Sequence, residues 1–193
     1  MHRVDQILLL VGAAAISWLG MMAVHELGHV LGAAMTGGTV RQVVLHPLVI
    51  SRTDVEPNPS PLIVVLAGPI VGVIIPIGLA CSAQLLRWRA AFLLWFFGGF
   101  CMIANGAYIG IGIGVFDEVG DAGEMLRLGS PRWSMILFGA SCAAGGFYIW
   151  HRISPRFGFG RQPIPIEPRH ASFVLGTAVV VYGLASIFGN AGN

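Results

Sequence analysis

The chain has 193 residues, of which 55% are hydrophobic and only 10% are charged, and its formal net charge is +2. Because a soluble domain carries about a quarter charged residues, a mean hydropathy of +0.78 excludes an ordinary soluble protein. The small net charge gives no reason to expect a nucleic-acid partner. The three cysteines are solitary within apolar runs, so we infer neither a disulfide framework nor a cysteine metal site.

Five apolar runs are long enough to cross a bilayer, at about 6–35, 61–86, 91–115, 133–150 and 171–189. Crossing a hydrocarbon core takes roughly 20 helical residues, and a spanning backbone must satisfy its own hydrogen bonds. We therefore predict an all-α integral membrane protein, a polytopic helical bundle of about five spans that forms a single domain over residues 1–193. Its surroundings are the lipid bilayer, and we expect a multi-pass protein of a bacterial-type cell membrane.

The start of the first run has the layout of a secretory signal peptide, with His2 and Arg3 before an apolar stretch. The apolar run continues through Val30 and Leu31, however, and no clear small-x-small cleavage site interrupts it. We therefore interpret the first run as a membrane span that is retained in the protein.

The first run contains the motif HELGH at residues 25–29. Helical residues four apart lie one turn above each other, so the imidazoles of His25 and His29 can bind one metal ion. Glu26 lies about 100° around the helix from His25, where a carboxylate can act as general base for a metal-activated water. Each ionisable side chain within a span costs about 2.5–3.5 kcal/mol, so three together indicate pairing or coordination. The alternative is a cluster of glutamate and histidine side chains that are hydrogen-bonded to each other between helices, without a metal.

A segment rich in β-forming residues follows Gly37 and Gly38 and ends in the Pro-Asn-Pro stretch at 57–59. We predict a short β-hairpin over residues 40–56, between the first two spans and near the membrane surface. The edge of such a hairpin could capture an extended peptide by main-chain pairing.

Two glycine patterns occur in the second and third runs, the pair Gly68 and Gly72 and the stretch GAYIGIGIG at 106–114. Small residues at this spacing favour close packing between membrane helices. The alternative is that the glycines of the third run loosen that span so that it can move.

A catalytic zinc site needs a third protein ligand besides two imidazoles. An acidic cluster follows the third run, on the same side of an alternating bundle as the end of the first run; its members are Asp117, Glu118, Asp121 and Glu124. We predict Asp121, because Gly120 permits close backbone approach and the residues after it can form a helix. Asp117 is the alternative ligand, and a solvated acidic loop is the interpretation without a metal.

HELGH in the first span, followed by AAMTGG at 33–38, resembles the site-2 protease family of intramembrane zinc metalloproteases. Further likenesses are the strand segment before the second span, AGP at 67–69, and Asn105 upstream of an aspartate. Two positions differ from that family's usual pattern. Gly72 stands where an asparagine is usual, and Gly-Asp-Ala at 120–122 replaces Leu-Asp-Gly.

The resemblance implies that His25, His29 and Asp121 bind Zn²⁺ and that Glu26 is the catalytic base. It also implies that Asn105 helps to hold the substrate or the oxyanion. The expected activity is hydrolysis of peptide bonds in membrane-spanning or membrane-associated segments of a membrane-protein substrate, with a regulatory membrane protein as a further expected partner. The alternative is a non-catalytic membrane protein that binds metal or sequesters substrate helices.

Two arguments about membrane orientation disagree. In an alternating bundle, seven of the eleven arginines lie on the side of the N-terminus, which the positive-inside rule places in the cytoplasm. The resemblance implies a zinc site that opens toward the cytosol, which places the opposite side there. The sequence leaves the orientation open.

Overall fold

The computed structural model describes residues 3–115 and 120–188. In these residues the helices and strands, in chain order, are α1 (Arg3–Thr36), β1 (Val40–Val44), β2 (Arg52–Val55), α2 (Pro61–Leu85), α3 (Ala91–Val115), α4 (Gly120–Arg127), α5 (Arg132–Ile153) and α6 (Pro168–Phe188), with a 3₁₀ turn at Ser154–Phe157 between the last two. Every helix except α4 is long and apolar enough to cross a membrane. The predicted bundle of five spans, with a small β-hairpin after the first, is confirmed.

The boundaries of α1 and α2 follow from local backbone chemistry. Gly37 has a φ of +77° just after α1, and the Gly38 N–H donates to the Ala33 carbonyl at 2.8 Å, which closes the helix in the manner of a left-handed cap. Pro61 opens α2, where its missing N–H and fixed φ cost nothing.

The hairpin pairs β1 and β2 antiparallel, with Val43 opposite Thr53 and Val44 opposite Arg52. The register is irregular between Val40 and Gln42. Both strands contact α1, and Val44 is fully buried. The predicted hairpin over residues 40–56 is therefore present and lies against the helix that carries HELGH.

Close helix packing accounts for the glycines at the start of the 106–114 stretch in α3. A Cβ atom added to Gly139 of α5 would lie 2.7 Å from both the Gly106 carbonyl oxygen and the Gly110 Cα. Since real Cβ contacts are never that short, the backbones of α3 and α5 meet only because these three residues have no side chains. The packing interpretation of this part of the stretch is confirmed.

Among the described residues, one apolar cluster stabilises each end of the bundle. The cluster near the start of α1 contains Leu9, Ala13, Phe96, Phe157, Ala171 and Val174. The cluster at the other end contains Val65, Ile109, Ile113, Ala122, Met125 and Met135. The second cluster packs the short helix α4 against α2 and α3, and so fixes the position of the acidic residues that α4 carries.

Candidate metal centre

The two histidines of HELGH turn their Nε2 atoms toward one point. The Nε2 atoms of His25 and His29 are 3.2 Å apart, and both residues are buried. His25 Nδ1–H donates to Asn105 Oδ1 at 2.7 Å, and His29 Nδ1–H donates to the Val64 carbonyl at 2.8 Å. Because each acceptor is an oxygen without a hydrogen, Nδ1 carries a proton in both rings, so the neutral form of each imidazole presents an Nε2 lone pair to a metal ion.

Asp121 completes the group from the first turn of α4. Its Oδ2 lies 2.7 Å from His25 Nε2 and 3.3 Å from His29 Nε2. Its backbone N–H donates to the Tyr108 hydroxyl at 3.2 Å, and Gly120, with a φ of +72°, has no Cβ to displace that hydroxyl. Burial raises the pKa of Asp121, but the two imidazoles, when protonated at Nε2, outweigh it through hydrogen bonds and positive charge and hold the pKa well below its usual range. The side chain is therefore an anionic donor at neutral pH.

The donor set fits a zinc ion. One ligand atom from each of the three residues lies within 4.8 Å of the others, and the closest separations are 2.7, 3.2 and 3.3 Å. A tetrahedral Zn²⁺ with bonds of about 2.0–2.2 Å holds neighbouring ligands about 3.3–3.6 Å apart, so the two longer separations match, and the 2.7 Å contact of Asp121 with His25 is shorter than a bound ion allows. Two neutral imidazoles and one carboxylate are also the protein ligands typical of catalytic zinc. The structure thus brings the three predicted ligands together, and their binding of a metal stays a prediction.

Glu26 is 2% exposed and follows His25 directly in the chain. Its Oε2 accepts a hydrogen bond from Thr53 Oγ1 at 2.7 Å. Thr53 belongs to β2, so the hairpin is joined to the carboxylate that we predict to be the general base.

Asn105 is 1% exposed and is held between two helices. Its Oδ1 accepts from His25, and its Nδ2 donates to the Cys101 carbonyl at 2.9 Å. A Cβ atom on Gly72 would lie 2.9 Å from both amide atoms of Asn105. The glycine that departs from the resembled family's pattern therefore leaves the space that this amide occupies.

Gly68 has a similar role one turn earlier in α2. A Cβ atom there would overlap the His29 imidazole and lie 3.1 Å from His25 Nε2. The pair Gly68 and Gly72 thus opens space for the candidate centre, in addition to allowing α2 to approach its neighbours.

The other acidic candidates lie elsewhere or outside the described residues. Asp117, the alternative ligand, and Glu118 both fall in 116–119, outside the residues that the structure describes. Glu124 belongs to α4 but is not among the three residues whose ligand atoms converge.

Among the residues that the structure describes, sequence reasoning missed three groups that contact the centre: Thr53, Tyr108 and the Val64 carbonyl. A signal existed for Tyr108, because it lies three residues after Asn105 and therefore on the same face of α3. No comparable signal exists for Thr53, whose contact with Glu26 depends on how the hairpin folds over α1. A backbone carbonyl has no signature in a sequence.

The fold and the site define an integral membrane helical bundle with a buried histidine–histidine–aspartate cluster at one end. A family model described as Peptidase M50B-like matches residues 8–109, more than half of the chain, and the protein belongs to this peptidase family. The resemblance to the site-2 protease family is thereby confirmed. The match covers HELGH, the hairpin and Asn105, and ends before Asp121. No curated protein and no solved structure matches the chain significantly.

Proposed function

We propose that the protein is an intramembrane zinc metallopeptidase that hydrolyses peptide bonds in membrane-spanning or membrane-associated substrate segments. The observation that carries this proposal is the convergence of His25 Nε2, His29 Nε2 and Asp121 Oδ2 beside the buried carboxylate of Glu26. Membership of a peptidase family supports the reaction class, and the donor set supports zinc as the metal.

His25, His29 and Asp121 would hold the zinc ion. When bound, the ion polarises the scissile carbonyl and lowers the pKa of a water molecule. Glu26 accepts a proton from the attacking water and delivers it to the amine nitrogen as the carbon–nitrogen bond breaks. The low exposure of Glu26 limits competition from bulk water for that proton.

Asn105 orients His25 in this proposal. Its Oδ1 accepts from His25 Nδ1–H, which fixes the tautomer and the plane of the imidazole ring. An amide nitrogen has two N–H groups, and one of them is directed to the Cys101 carbonyl. The role implied by the resemblance, a contact with the substrate or the oxyanion, would use the other.

The substrate has to be extended at the cleavage site, because a membrane helix directs its carbonyls into internal hydrogen bonds. We propose that the edge of the hairpin receives such a segment by main-chain pairing. The contact of Thr53 with Glu26 supports this, since it places β2 next to the proposed base.

The test is cleavage of a panel of single-span substrates by the purified protein, with and without 1,10-phenanthroline. Glu26→Gln is compared with Glu167→Gln, a control in which an exposed glutamate on the other side of the bundle is changed in the same way. We expect the wild type and the control to cleave in a chelator-sensitive manner that zinc restores. Glu26→Gln should lose cleavage while its zinc content stays near stoichiometric.

Three outcomes would contradict the proposal. Cleavage that resists the chelator would exclude metal-dependent hydrolysis. Stoichiometric zinc without cleavage of any substrate would favour the non-catalytic alternative, in which the protein binds metal or sequesters substrate helices. Loss of zinc from Glu26→Gln would identify Glu26 as a ligand and not as the base.

A further inference from the structure

We propose that Thr53 of the β-hairpin is a positioning residue that holds the Glu26 carboxylate in its working orientation. This inference rests on the proposed function, because it gives a kinetic role to a contact with the proposed base. The contact joins residues 27 positions apart and brings a strand outside the membrane helices into the reaction centre.

The hydroxyl of Thr53 has a single proton to donate. It lies 2.7 Å from Glu26 Oε2 and 3.5 Å from the Glu26 backbone carbonyl, so the shorter contact to the charged acceptor takes the proton. One carboxylate oxygen is thereby fixed, and the carboxylate cannot turn freely about its terminal bond. Oε1 remains available to accept the proton of the attacking water.

The burial of Glu26 makes this hydrogen bond consequential. A carboxylate that is only 2% exposed has lost nearly all contact with water, and a buried charge of this kind depends on its hydrogen-bond donors. Thr53 is a donor that the structure places directly on it.

The strand register explains why Thr53 faces the helix. The neighbouring residues Arg52 and Asp54 form an exposed ion pair with each other, and side chains alternate between the two faces of a strand. Packing alone would be served equally well by valine, which has the same shape as threonine. The hydroxyl is therefore the feature that requires a chemical explanation.

The consequence is a mechanical link between the hairpin and the base. Movement of β2 relative to α1 would lengthen the contact between Thr53 and Glu26 and release the carboxylate. If an extended substrate segment pairs with the free edge of β2, the strand that receives the substrate is also the strand that positions Glu26.

The experiment measures kcat and KM for Thr53→Val, Thr53→Ala and Thr53→Ser on a substrate that the wild type cleaves, together with zinc content. A matched control is Thr177→Val, since the Thr177 hydroxyl donates to the Phe173 carbonyl of its own helix, α6. We expect the valine and alanine variants to lose about 10- to 100-fold in kcat, with KM and zinc content within about twofold of wild type. Thr53→Ser should retain most of the wild-type kcat.

A double-mutant cycle tests the partner. Glu26→Asp withdraws the carboxylate by one methylene, so that it no longer reaches Thr53. If Thr53 acts through Glu26, adding Thr53→Val to Glu26→Asp should leave the residual rate unchanged. If Thr53→Val lowers kcat as much in the Glu26→Asp variant as in the wild type, Thr53 acts on a group other than Glu26, and the inference is overturned.

The two proposals fail in distinguishable ways. If the wild type shows no chelator-sensitive cleavage, the proposed function fails. If the wild type cleaves but both hydroxyl-free variants keep its kcat, the positioning role of Thr53 fails and the proposed function stands. A rise in KM with kcat unchanged would assign Thr53 to substrate binding and would also overturn the positioning role.

Discussion

His25 Nδ1 and Asn105 Oδ1 lie 2.7 Å apart, although the two residues are separated by 80 positions in the chain. The contact joins α1 to α3 on the side of the imidazole that faces away from the other two ligands. A hydrogen bond at this position selects the tautomer that presents Nε2 and limits rotation of the ring. If the centre binds zinc as proposed, we expect its affinity to depend on Asn105, a residue outside the three predicted ligands.

Replacing Asn105 by alanine should lower zinc affinity about 10- to 100-fold, the usual effect of losing the hydrogen-bond partner of a histidine ligand. Asn105→Asp retains an acceptor oxygen and should bind zinc more tightly than the alanine variant. Competition with a fluorescent zinc chelator measures both affinities. An alanine variant with wild-type affinity would contradict the orienting role.

Alanine substitution of any one predicted ligand should leave the purified protein without stoichiometric zinc. His25→Ala, His29→Ala and Asp121→Ala each remove one of three donors, and two donors hold zinc far more weakly than three. Mass spectrometry of the metal content after dialysis is the measurement. His170→Ala is the control, because His170 is exposed and pairs with Glu167 at 3.8 Å. Retention of zinc in Asp121→Ala would indicate another third ligand, with Asp117 as the first to test.

Gly68→Ala should impair zinc binding although glycine itself binds nothing. The added methyl group would overlap the His29 imidazole, so the ring or the helix must shift away from the ligand position. Gly78→Ala on the same helix meets nothing within 4 Å and should behave as wild type. Equal zinc content in the two variants would show that the centre tolerates a displaced imidazole.

Tyr108→Phe should weaken zinc binding about 2- to 10-fold, since it removes the hydroxyl that accepts from the Asp121 N–H and a neutral hydrogen bond contributes about 0.5–1.5 kcal/mol. Tyr148→Phe changes an exposed tyrosine on α5 and should have no effect. The comparison uses the same chelator titration. If Tyr108→Phe lowers zinc affinity as much as Asp121→Ala does, the hydroxyl has a role at the centre beyond its hydrogen bond to the start of α4.

Prediction from the sequence succeeded where the rules are local. The five spans follow from hydropathy, the hairpin follows from a β-branched segment between turn signals, and the shared direction of His25 and His29 follows from the helical repeat. The position of Asp121 near the two histidines follows from the alternation of spans, which places the end of α3 beside the end of α1.

Other contacts depend on how whole elements are rotated and seated against each other. The contact of Asn105 with His25 requires one rotational setting of α3. The contact of Thr53 with Glu26 requires the hairpin to fold back over α1. These settings arise from packing among distant residues, such as Gly139 against Gly106, and no local pattern encodes them.

The distance along the chain between the two halves of the candidate centre has a consequence for biogenesis. His25 and His29 are made early, whereas Asp121 is 96 positions beyond His25 and arrives only after α3 has been synthesised. A nascent chain that ends within α2 contains His25, Glu26 and His29 but lacks the third predicted ligand, the Asp121 carboxylate. Under the proposed function, cleavage therefore cannot begin until the third span has been inserted and α4 has docked.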